Sequence, residues 1–214
     1  MLSLVIESCT ERSIVALVED NNCLYFAGMP FGLHNSRYLL PKIEEGFEYL
    51  AKHPQDLDCI ATGIGPGSYT GMRVGATIAK SMSYSCKVPL VGITTLKGFI
   101  PSRDCNFSAI IDAKMGGSYI LKGTRDKDRI HYHTDPEICP IDQFKQKLQD
   151  VEILMGPFLD PIRKKIEQHT IDDIWEWQES APDPIHLANL AFEKYERKEY
   201  SLDGSLQLLY MREH

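Results

Sequence analysis

A chain of 214 residues with 43% hydrophobic and 25% charged residues has the composition of a folded soluble protein, which excludes disorder, collagen-like repetition and a membrane-spanning bundle. Its length suits one large domain or two lobes of about 100 residues each, and folding buries roughly 70% of the unfolded surface. With 23 Lys and Arg against 30 Asp and Glu, the net charge is −7; this repels a phosphate backbone, so a small-molecule or protein partner is expected rather than unaided nucleic-acid binding.

Residues 2–7, 13–18 and 23–27 read as three short β-rich runs joined by polar turns, an antiparallel meander. Leu39, Leu40, Ile43, Phe47 and Leu50 then fall on one helical face, with Pro41 expected to delay or kink the helix. A buried strand over 57–64 ends in Gly65-Pro66-Gly67, a long helix follows over 70–86, a strand over 88–93 and a short helix over 95–100. Residues 101–106 have the composition of a linker. Strand-like runs resume at 107–112, 118–123 and 129–133, followed by a helix over 143–148, a strand over 151–155, a helix over 157–169 and a strand over 171–177. Asp183 as N-cap and Pro184 at the first helical position open a last helix to about Lys198.

The order strand-strand-strand-helix-strand-helix thus occurs twice. Glu7 and Asp112 each close the first strand of a set, and Ser13 and Ser118 open the second strand at the same spacing. This pattern predicts a duplicated α/β unit, divided as 1–104 and 105–214, with a cleft between the halves and mixed sheets covered by helices.

The most informative stretch runs from Gly63 to Gly75. A strand, a glycine turn and a helix in succession present free N–H groups to an anion, which makes Gly65, Gly67, Ser68 and Thr70 candidate phosphate-binding residues. The spacing completes neither a Walker A loop nor a dinucleotide fingerprint, and a tight structural turn accounts for it as well. Behind the turn, Gly71, Gly75, Ala79 and Ser83 recur every four residues on one helix face. Two glycines inside a helix cost about 1 kcal/mol each relative to alanine, so close approach of another element must compensate. That element is either the protein's own sheet or a second subunit, with Val74, Ile78 and Met82 on the adjoining ridge.

Other chemistry-bearing residues have plain readings. The six cysteines form no CxxC pair, and several sit in apolar runs, so reduced, buried thiols are expected. The chain opens directly on an alternating strand, without a basic leader or long apolar core, and the cytoplasm is the expected compartment. His131 and His133 share a strand face but supply only two ligands, so no metal site is expected. Trp175 and Trp177 read as packing residues, and Arg163-Lys164-Lys165 as a solvated helix face.

At Gly65-Pro66-Gly67-Ser68-Tyr69-Thr70-Gly71-Met72-Arg73-Val74-Gly75 the sequence resembles the bacterial TsaB (YeaZ) family. So do His34-Asn35-Ser36-Arg37-Tyr38-Leu39-Leu40-Pro41, the stretch from Pro89 to Leu96, Ile111-Asp112-Ala113-Lys114-Met115-Gly116 and Leu209-Tyr210-Met211-Arg212. The resemblance implies an α/β fold of the actin-like ATPase (ASKHA) type, two ribonuclease H-like lobes. It further implies a non-catalytic subunit of the machinery that makes N6-threonylcarbamoyladenosine at adenosine 37 of tRNAs. Such a subunit pairs with the catalytic TsaD through its N-terminal lobe and is joined by the TsaE ATPase. The implied cofactor is none of its own, with ATP used by the complex and tRNA reached only through it; a homodimer is expected in the absence of the partner.

Two features depart from the family or lie outside its transferase chemistry. The family's Asp-Thr after the first strand is Glu7-Ser8 here, and no two histidines stand four apart as in the HxxxH metal motif of the catalytic relative. The rival readings are a metal-independent peptidase, for which Ser68 lacks a G-x-S-x-G setting, and a small-molecule kinase of the actin-like class. On the scaffold reading the partner interface comprises Leu39, Ile43, Gly71, Val74, Gly75, Ile78, Ala79 and Met82. Gly75→Leu is then expected to abolish pairing while leaving the monomer folded.

Overall fold

A computed structural model describes residues 1–32, 36–114, 117–127, 129–169 and 174–211. His34 and Asn35, Met115 and Gly116, the start of the predicted strand at 171–173, and Arg212 and His214 lie outside the described residues. Two compact units are present among the described residues: Met1–Gly98 with Pro182–Tyr210, and Phe99–Ala181 with Met211.

In the first unit, β1 (Leu2–Glu7), β2 (Ile14–Glu19) and β3 (Asn22–Gly28) form the predicted antiparallel meander, with Leu4 opposite Leu17 and Glu7 opposite Ile14. β4 (Cys59–Gly63) runs parallel to β1, and β5 (Leu90–Ile93) parallel to β4, because a helix returns the chain each time. The sheet order is β3-β2-β1-β4-β5. β1 is buried at every position, as expected for a central strand covered on both faces. Alternation then decides which face each residue joins. Leu4, Ile6, Leu17 and Ile60 pack with Leu39, Ile43 and Phe47 of α1 (Ser36–Leu50) and Ala79 of α2 (Tyr69–Cys86). Val5, Ala16, Ala61 and Val91 pack with Leu187, Ala188 and Ala191 of the last helix.

That helix spans Pro184–Glu196, and Asp183 caps it by accepting from the His186 N–H at 2.8 Å. It was expected in the second half of the chain. Its apolar stripe instead serves the first sheet, so the predicted boundary at 104/105 does not hold for residues 182–210. The chain beyond it pairs Ser201 with Leu90 along the open edge of β5, and the Leu209 N–H donates to the Ile64 carbonyl at 2.8 Å.

The second unit repeats the plan. β6 (Cys105–Asp112), β7 (Gly117–Asp126) and β8 (Arg129–Tyr132) are antiparallel, and β10 (Ile153–Gly156) and β11 (Glu176–Glu179) add in parallel, giving the order β11-β10-β6-β7-β8. Counted from its first strand, each sheet therefore has the same order. This is the ribonuclease H-like arrangement present twice, the plan of the actin-like α/β fold. The short β9 (Glu137–Pro140), which pairs with β7, is an addition that no alternation in Glu137-Ile138-Cys139-Pro140 signals. The helices α3 (Phe144–Lys147) and α4 (Asp160–Gln168) close the core over Ile110, Ile120 and Leu154; the last helix described above is accordingly α5. Trp175 belongs to this core and donates its indole N–H to the Leu148 carbonyl at 3.0 Å, while Arg163 lies 4.9 Å over the Trp177 ring; both tryptophans pack.

The matching spacing of Glu7 and Asp112 is not a structural equivalence. Asp112 points to the α4 face, where Lys165 and Lys114 bind its carboxylate. Glu7 alternates with Ile6 and so lies on the face opposite α1 and α2. All six cysteines are free, four of them buried, but Cys23 on the edge strand β3 is exposed, contrary to expectation. Among the described residues no helix is long and apolar enough to cross a membrane.

Candidate functional site

The glycine turn is bound to the end of β1. The Ser68 N–H donates to the Cys9 carbonyl at 2.6 Å, and a Cβ on Gly67 would stand 2.2 Å from that oxygen. The Gly65 N–H donates to the Thr95 hydroxyl oxygen at 3.2 Å, and Gly65 takes φ +102, where only glycine is at ease. Ser68 is the N-cap of α2, accepting from the Gly71 N–H at 3.2 Å, which is the helix-start role rather than a nucleophile's. Thr70 is exposed on the first turn. Among the four candidate phosphate ligands, the amides of Gly65 and Ser68 are thus already engaged internally.

Glu7 fills the space beside this turn. Its carboxylate accepts from the Cys9 N–H at 2.7 Å and from the Thr95 hydroxyl at 3.0 Å. Gly63 makes room for it, since a Cβ there would fall 2.0 Å from Oε2. Glycine at the end of β4, beside a glutamate at the end of β1, is the sequence signal for this arrangement. Burial pushes the Glu7 carboxyl above its ordinary 4.5, and the donors around it pull it only part of the way back. The folded chain therefore holds this proton to higher pH than the unfolded chain does, and ionisation costs stability as pH rises from 4.5 through the raised value. Glu7→Gln keeps the size and the acceptor but cannot ionise. Urea melts are expected to show it gaining on the native chain as pH rises above 4.5; a difference that stays constant with pH would contradict this. Asp112 behaves oppositely. Burial raises it, but the hydrogen bond from Lys165 and the donors of Lys114 outweigh that and hold it below 3.8.

The small-residue stripe of α2 faces the protein's own sheet. Gly71, Gly75, Ala79 and Ser83 are all buried. A Cβ on Gly71 would lie 2.0 Å from the Ser8 carbonyl oxygen, and one on Gly75 2.2 Å from Ser8 Oγ. The Ser8 hydroxyl in turn donates to the Gly71 carbonyl at 2.9 Å. Gly71, Gly75 and Ala79, with Leu39, are therefore core residues rather than surface available to a partner, and Ile43 is buried to 3% exposure. Gly75→Leu would disturb the monomer itself, so it cannot isolate pairing as expected above. The remaining three, Val74, Ile78 and Met82, are only partly buried on the flank toward α1.

Beside Met82, α1 and the residues that follow it line an apolar groove of about 670 Å³, with Leu40, Ile43, Glu44, Phe47 and His53 in its wall. Leu40 is 56% exposed at its rim and Tyr84 72% exposed on the outer side of α2. Carboxylates border this groove, but no cluster of three or more His, Cys, Asp or Glu that could hold a metal occurs among the described residues. His133 instead shares a 2.7 Å hydrogen bond with Thr124. The arrangement is that of a binding surface, an apolar trough between α1 and the C-terminal half of α2; the glycine turn lies at the other end of α2, its polar groups consumed by the fold.

The sequence model of the family described as TsaD, tRNA N6-adenosine threonylcarbamoyltransferase, matches residues 33–148. The chain is 29% identical over 143 residues to the tRNA threonylcarbamoyladenosine biosynthesis protein TsaB of Escherichia coli, covering 64% of this chain and 61% of that protein. It is 30% identical over 131 residues to the TsaB of Haemophilus influenzae, covering 59% and 55% respectively. The matched region is thus less than two thirds of the length of these relatives. YeaZ from Pseudomonas aeruginosa, a solved structure, superposes over 98% of this chain and 99% of its own with a TM-score of 0.77 at 17% identity, a likeness of fold.

Proposed function

From a chain that belongs to the TsaD family, in its TsaB (YeaZ) branch, we propose that it is a non-catalytic subunit in the biosynthesis of threonylcarbamoyladenosine in tRNA. Its task on this reading is to bind and support a catalytic TsaD-type subunit through the α1/α2 face, with a TsaE-type ATPase joining them. The observation that carries the reading is the apolar groove between α1 and α2, open at Leu40 and Met82, in a unit whose glycine turn is bound up by Cys9, Thr95 and the neighbouring Glu7. The net charge of −7 agrees with leaving the tRNA to the partners. The chain has no cofactor of its own on this reading, ATP being used by the complex. Without its partner it covers the groove by forming a homodimer, and it works in the cytoplasm.

The test is reconstitution. A TsaD-type subunit, a TsaE-type ATPase, a source of threonylcarbamoyl-adenylate and unmodified tRNA are mixed with and without this chain, and the modified nucleoside is measured by mass spectrometry. Product is expected to form only when the chain is present. Unchanged product without it, or ATP hydrolysis by the isolated chain in proportion to an added small-molecule substrate, would overturn the proposal.

A further inference from the structure

The outer side of α2 carries an arrangement that the groove does not include. The Arg73 guanidinium lies 3.8 Å over the Tyr69 ring and 6.0 Å from the Tyr210 ring centroid, and its Nε–H donates to the Tyr210 hydroxyl at 3.1 Å. The two rings are 5.6 Å apart and tilted by 44°. Both remain accessible, Tyr69 at 40% and Tyr210 at 44%. Tyr210 comes from the C-terminal segment, which is fixed immediately before it by the Leu209 bond to Ile64. Gly65 lets that segment pass, since a Cβ there would stand 3.1 Å from the Leu209 carbonyl oxygen.

Several cations of the chain are matched by carboxylates, whereas Arg73, like Arg37 over Tyr38, is held by aromatic rings. Arg103 pairs with Glu152 and Glu176, Lys52 with Glu19, Lys122 with Asp150 and Lys165 with Asp112. Arg73 has the two tyrosines as its neighbours and no carboxylate among the described residues. In a chain of net charge −7, an exposed guanidinium held flat by stacking, its terminal N–H groups bonded to no acid among the described residues, complements a carboxylate brought by another molecule. Its rotamer freedom is already restricted, so little ordering cost remains on binding. Arginine and tyrosine are also the residue types on which interface energy concentrates. A polyanion is the poorer occupant, because one cation on an acidic chain neutralises little of it.

Resting on the function proposed above, we infer that Tyr69, Arg73 and Tyr210 form a preorganised socket for an acidic side chain of the catalytic partner subunit. The C-terminal segment is then part of the docking surface, and Tyr210 is the residue that positions Arg73.

Calorimetric titration of the full chain with the catalytic TsaD-type subunit tests this. Arg73→Ala is expected to raise Kd about thirtyfold at about 50 mM salt, and Tyr210→Phe about fivefold. Because the hydroxyl acts through the guanidinium, the double variant binds no more weakly than Arg73→Ala alone. The loss caused by Arg73→Ala shrinks to a few-fold at about 500 mM salt, as a charge pair requires. Tyr210→Phe removes one exposed hydroxyl and leaves the ring packing, so the comparison survives even if Arg73→Ala folds poorly. A Kd within twofold of the native value for both variants overturns the inference. So does a loss independent of salt, or a loss of tRNA binding by the complex with partner affinity intact. If the native chain does not bind the catalytic subunit at all, the functional reading fails, and the socket with it.

Discussion

Gly71→Ala is expected to lower stability by about 3 kcal/mol, seen as a fall in Tm of roughly 6–12 °C. Elsewhere in a helix the same change stabilises by up to about 1 kcal/mol, since alanine has the better propensity. Here the added Cβ would lie 2.0 Å from the Ser8 carbonyl oxygen. That oxygen belongs to the backbone at the end of β1 and has no rotamer by which to move. The helix must shift away from the sheet, and the bond from the Ser8 hydroxyl to the Gly71 carbonyl is strained with it. Overpacking therefore outweighs propensity. Thermal unfolding followed by circular dichroism checks this; an unchanged or raised Tm would show that α2 does not pack on Ser8 as described.

Leu40→Glu separates partner binding from folding. Leu40 is 56% exposed, so its replacement is expected to change stability by no more than about 0.5 kcal/mol. In the complex the new carboxylate would be buried against an apolar trough already bordered by Glu44 and Glu48. A loss of about 3 kcal/mol in binding, roughly a hundredfold in Kd, is expected for an unpaired charge buried in an interface. Titration of the variant with the catalytic subunit reads it directly. Binding within a few-fold of native would move the interface off the α1/α2 face.

The contrast between these two positions shows what could be read from the sequence. Repetition every four residues placed Gly71, Gly75, Ala79 and Ser83 on one face, but spacing cannot say whether the close neighbour is the chain's own strand or another molecule. Contact with Ser8 decides it, and Ser8 lies more than sixty residues away. Alternation identified the meanders and the helix spacing gave the return strands in parallel, so the duplicated sheet order was legible. The destination of α5 was not, because an apolar stripe on Leu187, Ala188 and Ala191 fits either sheet equally well. The equal spacing of Glu7 and Asp112 misled for a physical reason. In a strand, one residue of difference in where the turn begins reverses the face, and Glu7 pairs with Ile14 where Asp112 pairs with Ser118.

The Arg73 stack escaped sequence reading because its two rings come from the two separate segments of the chain that build the first unit. Tyr69 opens α2 and Tyr210 lies at the end of the C-terminal segment, brought together only by the pairing of that segment with Leu90 and Ile64. The resemblance of Leu209-Tyr210-Met211 to a family landmark marked the residue without indicating its contact.

Pairing with a catalytic subunit is the claim on which the rest depends, and light scattering on an equimolar mixture of this chain and a TsaD-type subunit measures it most directly. A single species with the summed mass of one copy of each, or of a whole multiple of that pair, is the predicted result, with any homodimer of the chain alone giving way to it. Two species that each keep the mass they have alone would contradict it.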